Sequence, residues 1–401
     1  MKQTVRKAYK VRLKTNQDIE AKLVRFCGSA RFVWNKCLAM NLERLENKQK
    51  ILWYQEMAFW LTLWKRSEEY GFLEECPSQV LQQKLKDLER AFKDGFDRGQ
   101  PLKHMPVFKK RGLNEGIRFP QGFKLNNRRL FLPKIGWIGF HKSCDIKGTI
   151  KNITITCKGG RWYASIQVEQ MIEIGKHPSD SEIGIDAGIK CFAAFSDGTM
   201  IEGIHSFRRH EQKLAREQRK LSRKKRGSKN WKKQRRKIAK LHQRTANVRS
   251  DYLHKLSTDI SKNHAKVFVE KLQIKNMSAS AKGNNEDPGK NVKAKAGLNK
   301  SILDQGWFEF KRQLEYKLFW MGGMLAEVNP RNTSQQCSDC GHVEKENRVS
   351  QKVFRCKRCG LEEHADINAA KNILTVGQTG MACKANRISG RQQEPVRKYC
   401  P

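Results

Sequence analysis

Three acids stand where acids are costly. Asp186 lies in SEIGIDAGIK (181–190), among Ile183, Ile185 and Ile189, which read as a buried strand. Glu270 closes the apolar run AKVFVE, and Asp366 opens a helical pattern in HADINAAKNIL. A buried, unpaired carboxylate is strongly unfavourable, so something must hold each one. Each has a modest explanation: Asp186 as a turn acid, Glu270 as half of a surface salt bridge, Asp366 as a helix N-cap. If the three converge, they repel one another unless cations neutralise them. A pair of Mg²⁺ ions held by carboxylate and phosphate oxygens would do so. Such a pair would also activate water and stabilise the leaving oxygen in phosphodiester cleavage.

A second set of residues has metal-ligand spacing. CSDCGHVEKENRVSQKVFRCKRCG places Cys337, Cys340, Cys356 and Cys359 as C-x2-C, fifteen residues, C-x2-C. Each C-x2-C turn supplies two thiolates, and Gly341 and Gly360 follow where the chain must turn back. Four thiolates fill a tetrahedral zinc and leave no open position, so one structural Zn²⁺ is expected. The other eight of the 12 cysteines show no paired spacing and read as free thiols of a reducing compartment.

The elements that must position these groups are legible in outline. Residues 4–14 alternate like a strand, and Asn16 is placed to cap a helix that follows. Pro77 opens another helix, PSQVLQQKLKDLERAFKDGF. Short β-type runs with Gly and Asn turns fill 101–172 and suggest a small barrel. IGIDAGIK and CFAAFSDGTMIEG read as two strands of a hairpin. Residues 207–262 read as two long helices broken near Gly227. Residues 279–298 read as a mobile polar loop, and LDQGWFEFKRQLEYKLFWMGGML as one helix.

Charge narrows the partners. The chain has 401 residues with 81 Lys and Arg against 40 Asp and Glu, a net +41. Such an excess points to a polyanion, most simply nucleic acid. Between Arg208 and Arg249 there are 19 cations and only two acids, Glu211 and Glu217. An apolar stripe through Ile238, Leu241, Val248, Tyr252, Leu256 and Ile260 leaves the other face cationic. Arg223, Lys224, Lys225, Arg226, Lys232, Lys233, Arg235, Arg236 and Lys237 are the candidate phosphate contacts. Gln82 and Gln83 are candidate amides for base edges. No apolar run is long enough to span a bilayer and MKQTVRKAYK has no signal-peptide core, so no membrane partner and a cytoplasmic location are expected.

GIDAGIK, VFVEKL, NPRNTSQQCSDCG, the second CKRCG and HADINAAKNIL together resemble the TnpB (OrfB) proteins of bacterial insertion sequences, compact relatives of the type V CRISPR nucleases. The resemblance extends to ARFVWNKCLA and GWFEFKRQLEYK, and TSQ leading into C-x2-C-G is its most specific piece. Many relatives have Arg just before the last acid, where this chain has Ala365; others also have Ala. The resemblance implies a multidomain α+β fold. An RNase H-like (RuvC-type) α/β nuclease domain (173–329 and 363–376) would carry a zinc ribbon (330–362) inserted before the last acid. An N-terminal β-barrel (1–14 and 101–172) would carry a helical insert (15–100), and 377–401 would be a disordered tail. It makes Asp186, Glu270 and Asp366 the catalytic, Mg²⁺-binding acids. It implies an RNA-guided DNA endonuclease that supports retention or spread of its insertion sequence. The partners would be a guide RNA from its own element and double-stranded target DNA beside a short motif, bound by a bacterial, nucleoid-associated monomer with RNA. A transposase performing strand transfer directly, or a nuclease-dead RNA-guided regulator, are the alternatives. The absence of a His-x-His pair leaves a tyrosine transposase without its metal site, and none of the three acids is missing.

Overall fold

A computed structural model describes residues 2–99, 102–112, 116–142, 144–284 and 286–388. The chain forms two compact units, one of residues 2–172 with 229–240, the other of 173–228 and the chain from Leu241 onward.

The first unit opens with β1 (Lys2–Lys14) and α1 (Gln17–Glu46). Asn16 caps α1 by accepting from the Ile19 N–H at 2.9 Å. After α2 (Tyr54–Arg66), α3 (Ser78–Phe96) starts directly behind Pro77. Its Val80, Leu81, Leu85, Leu88 and Phe92 form one buried face. Six strands follow: β2 (Gly116–Phe119), β3 (Lys124–Asn126), β4 (Arg129–Leu132), β5 (Gly136–His141), β6 (Thr149–Lys158) and β7 (Arg161–Glu173). With β1 they make a seven-stranded sheet in the order β2-β6-β7-β1-β5-β4-β3. Alternate residues such as Ile153, Ile155, Ala164, Ile166 and Val168 are buried, the period that a sheet with one covered face requires.

The second unit is built on a five-stranded sheet, β10-β9-β8-β11-β12. Its strands are β8 (Glu182–Asp186), β9 (Cys191–Phe195), β10 (Met200–Glu202), β11 (Lys266–Glu270) and β12 (Met324–Val328). The expected two-strand hairpin is thus three strands. The run CFAAFSDGTMIEG turns back at Gly198, whose φ of 93° suits glycine, while Asp197 accepts from the Thr199 N–H. β11 runs parallel to both β8 and β12, and β8 pairs antiparallel with β9.

Helices α4 (Arg208–Ser222) and α5 (Lys229–Asn263) break around Gly227, at φ 86°. After the short α6 (Ile274–Met277), α7 (Val292–Gln305) occupies part of the segment expected to be a mobile loop. The single helix expected next is instead the end of α7, α8 (Trp307–Met321) and the start of β12. Gly306 and Gly322, at φ 74° and 78°, stop the helices on either side of α8. The cysteine segment holds β13 (Val353–Arg355) and β14 (Glu362–His364), an antiparallel pair. Then α9 (Ala365–Ile388) runs on through residues 377–388, where the sequence suggested a disordered tail; residues 389–401 lie outside the described residues. Among the described residues no helix is long and apolar enough to cross a membrane.

The two faces of this sheet are separated by period-two alternation. Ile183, Ile185 and Val267 pack with Leu253, Trp307, Phe310 and Leu314 of α5 and α8. Phe268 packs with Ile373 of α9 and Val328. Gly184 belongs to the α9 side. A Cβ there would sit 2.2 Å from the Ala370 carbonyl oxygen and 2.7 Å from the Leu374 nitrogen. Gly377 lies equally close to Phe268, with a notional Cβ 2.1 Å from the ring. Helix α9 therefore rests its backbone on the sheet, which only glycine permits.

Gly184→Ala should push α9 off β8 and destabilise the protein by about 1–3 kcal/mol. Gly28→Ala, inside α1 with its nearest neighbour 4.0 Å away, should stabilise by about 0.5–1 kcal/mol. Denaturant midpoints read by circular dichroism check both, and equal effects of one sign would contradict the assignment.

Candidate carboxylate site and thiolate cluster

Ile185 pairs with Val269 across β8 and β11, so Asp186 and Glu270 follow at the carboxyl ends of adjacent parallel strands. Open α/β sheets bind ligands at that edge. Asp366 sits in the first turn of α9, the helix that rests on β8. Asp186 feels the charge of both other acids. Desolvation pushes the Asp186 carboxyl up to about 7, and the charges of Glu270 and Asp366 push the same way. Arg348 and the Ala187 N–H oppose the shift. Burial also raises the Glu270 carboxyl. None of the three modest explanations describes this arrangement. Among the described residues no salt bridge joins a cation to Asp186 or Glu270, and Asp366 alone of the three has one, to Arg348.

Arg348 reaches the cluster. Arg348 Nη2 donates to Asp366 Oδ1 at 3.3 Å. Asp186, Asp366 and Arg348 line a cleft of about 520 Å³, with Lys190, Lys352 and His364. Glu270 lines two further cavities, one of them bordered by Trp307, Phe308 and Phe310 of α8. Arg348 was not singled out from the sequence. It lies within the fifteen residues between the cysteine pairs, where no spacing rule marks it.

The cysteine segment places it. The four Sγ atoms lie within 4.8 Å of one another, the one such group of potential metal ligands among the described residues. Cys337 to Cys359 and Cys340 to Cys356 are each 3.6 Å apart, sulfur to sulfur. A disulfide needs about 2.05 Å, whereas a tetrahedron with Zn–S near 2.3 Å has edges of about 3.8 Å. Backbone N–H groups, first that of Cys359, lower the Cys356 thiol, while burial raises that of Cys337. Gly341 and Gly360 hold φ 73° and 78° just past each pair. The donor set is compatible with one structural zinc.

Two further contacts tie this cluster to the acids. Buried Asn347 donates to the Gln335 and His342 carbonyls and accepts from the Lys357 N–H, bracing both turns beside Arg348. On α9, buried Asn368 and Asn372 donate to the Gln336 carbonyl, and Asn372 also to that of Thr333. The motif TSQ and the Gln336 that follows it thus form the strip that α9 grips within the two turns after Asp366. Asn368 and Asn372 are spaced i, i+4 on the helix, a signal that could have found them.

The cationic residues are also placed. Arg223, Lys225, Arg226, Lys232, Lys233, Arg235, Arg236 and Lys237 are exposed, and Lys224 is half-buried. Arg235 lies over the Trp231 ring at 5.5 Å. Asp304 anchors α4: it accepts from Ser206 Oγ at 2.7 Å and from the Phe207 N–H just before the helix. Gln82 is exposed, but Gln83 is half-buried and donates to Asp87 Oδ1 at 3.1 Å, so its amide is already committed. The sequence could not distinguish the two because Asp87 is a turn of helix away.

Residues 165–281 match the OrfB_IS605 family, described as "Probable transposase". Residues 307–373 match a Cas12f1-like TNB domain. Residues 1–50 match an OrfB_IS605 helix-turn-helix domain, which in this structure is a strand and one long helix. The chain is 49% identical over 393 residues to InsQ of Escherichia coli strain K12, named as an RNA-guided DNA endonuclease, covering 97% of each chain. It is 32% identical over 413 residues to a Streptomyces pristinaespiralis protein of the same designation, covering 99% and 98%. The cryo-EM structure of a Cas12f1–sgRNA–target DNA complex shares its mixed α/β multidomain fold, with TM-score 0.51, 14% identity and 92% and 98% coverage. Near-complete alignment at these identities, over the segments that carry the acids and the thiolates, means that the chain belongs to the transposon-encoded OrfB (TnpB) family, whose relatives include type V CRISPR nucleases.

Proposed function

We propose that this protein is an RNA-guided DNA endonuclease that hydrolyses phosphodiester bonds at Asp186, Glu270 and Asp366. The observation that carries the reading is the carboxylate cluster at the strand ends, in a chain of net charge +41. With it goes the finer fold assignment: a RuvC-type nuclease domain with an inserted zinc ribbon, and an N-terminal β-barrel with a helical insert. The mixed order β10-β9-β8-β11-β12 and the seven-stranded sheet support it.

Hard carboxylate oxygens that repel one another suit Mg²⁺. When bound there, the ions would neutralise the acids, activate water and stabilise the leaving oxygen. The protein's own residues do the rest. Gly184 lets α9 carry Asp366 over the strand ends. Arg348 holds Asp366 in place. Lys190 and Lys352, on the cleft wall, attract the DNA backbone. The ribbon, with zinc on its thiolates, fixes Arg348. The cationic face of α4 and α5 holds guide RNA or heteroduplex through phosphates, while base pairing supplies the sequence.

The cluster's charge gives a metal-free test. A carboxyl whose folded pKa is raised keeps a proton that the unfolded chain releases. Its stabilising contribution is full below its ordinary 3.8 and is lost as pH rises through about 7. With no Mg²⁺ or Mn²⁺ added, the melting temperature should therefore fall between about pH 4 and pH 7, and less so for Asp186→Asn. Identical slopes would show that Asp186 ionises freely.

Asp186→Ala should abolish DNA cutting by the RNA-loaded protein while leaving RNA and target affinity within a few-fold. Cutting should require Mg²⁺ or Mn²⁺ and fail with Ca²⁺, whose coordination is looser. Near wild-type cutting by Asp186→Ala would overturn the site. So would purification from cells carrying the native locus without any discrete RNA overturn the guided reading.

Neutralising Arg235, Arg236 and Lys237 should weaken nucleic-acid binding alike for every target. The salt dependence should flatten by roughly one slope unit per lost phosphate contact. A changed target preference with an unaltered slope would contradict this role.

A further inference from the structure

The start of α8 carries an arrangement that the cleavage site does not use. Phe308 is 71% exposed, although it lies beside a well-packed core. Its neighbour Trp307 is 5% exposed, and its buried indole Nε1 has no hydrogen-bond partner. Buried donors without acceptors are rare in folded proteins. Trp307 and Phe308 line two adjoining cavities, of about 80 and 380 Å³. Glu270 lines the smaller one, so the aromatic pair borders the carboxylate site directly. Cations border the cavities too, each with an acid beside it: Lys311, paired with Glu327, lines the first, and Arg249, paired with Asp304, lines the second. Gly306, at φ 74°, ends α7 and begins α8 at once, which fixes the pair at the helix entrance.

We infer that the Trp307–Phe308 entrance of α8 is a nucleobase-binding site for the DNA strand being cut. The inference rests on the endonuclease reading above and deepens it. A flat apolar face in water, an unsatisfied donor on the adjoining residue and two cavities that both residues line are what a base would satisfy together. The base stacks on the Phe308 ring, and a ring nitrogen or carbonyl of the base accepts from Trp307 Nε1. Stacking is tolerant of base identity because every base has a π-face. The site would therefore serve any target that the guide selects. Its role is to fix the nucleotide beside the scissile phosphate, since small misplacements at a reacting centre cost large factors in rate. A protein partner would need a larger apolar surface than one ring, and no acidic complement is required of a base.

The test uses the full chain loaded with its RNA, under single-turnover conditions. Phe308→Ala should slow target cleavage about tenfold, the lower part of the range for one lost base stack. Target binding, measured with Asp186→Ala as the background, should be unchanged. Phe308→Tyr should cut within about twofold of wild type, since its ring still stacks. An abasic nucleotide walked through the positions beside the cut should, at one of them, slow wild type as much as Phe308→Ala does. At that position the abasic lesion should not slow Phe308→Ala further, the non-additivity expected of two partners in one contact. Wild-type cleavage by Phe308→Ala, or multiplying effects at every position, would overturn the inference and leave the endonuclease reading intact. A wild-type protein that cuts no DNA under these conditions would overturn both.

Discussion

The contact between Gly184 and the backbone of α9 is the constraint on which the site depends. Sheets and helices usually meet through side chains, at about 10 Å between sheet layers. Here the helix comes down to main-chain contact, with room for no Cβ at Gly184 and none at Gly377 against Phe268. That closeness brings a helix-borne acid to the ends of two strands, so that three segments distant in sequence share one charged spot. The cost is an electrostatic frustration that folding alone does not relieve, visible in the raised Asp186 carboxyl.

The thiolate segment follows from the same constraint. Asp366 is at the very start of α9, where a helix is held least firmly. Asn368 and Asn372 bind the Thr333–Gln336 strip, and Arg348 holds Asp366 itself. A small cluster of four thiolates is an economical brace there. It has almost no core of its own: Cys337, Phe354, Cys356 and Ala365 make up its buried hydrophobic set. Such a segment needs its ligand bonds for stability.

What was legible in the sequence was whatever had a local signature. The acids stood out against apolar runs, the cysteines had ligand spacing, and Gly227 broke a helical pattern. The cap at Asn16 and the start at Pro77 are local chemistry as well. What stayed hidden depended on partners far along the chain. Arg348 is one arginine among many until its distance to Asp366 is known. Gln83 looks free until Asp87 is seen to hold it. The division of 303–325 into two helices and a strand turns on Gly306 and Gly322, each at positive φ, while the flanking residues keep helical propensity. The continuation of α9 past Val376 relies on Gly377 lying against Phe268, a contact that hydrophobic periodicity cannot register because glycine has no side chain to count.

The cationic face of α4 and α5 has a consequence for the protein before it meets any partner. Like charges a turn apart on a helix repel. Nineteen cations within 42 consecutive residues far outnumber the two acids among them. The free protein therefore carries self-repulsion, and anything polyanionic that binds the folded state stabilises it by mass action. The nucleic acid is in this sense part of the fold's thermodynamics as well as its ligand. The chain bound to a polyanion would therefore melt at a higher temperature than the same chain alone.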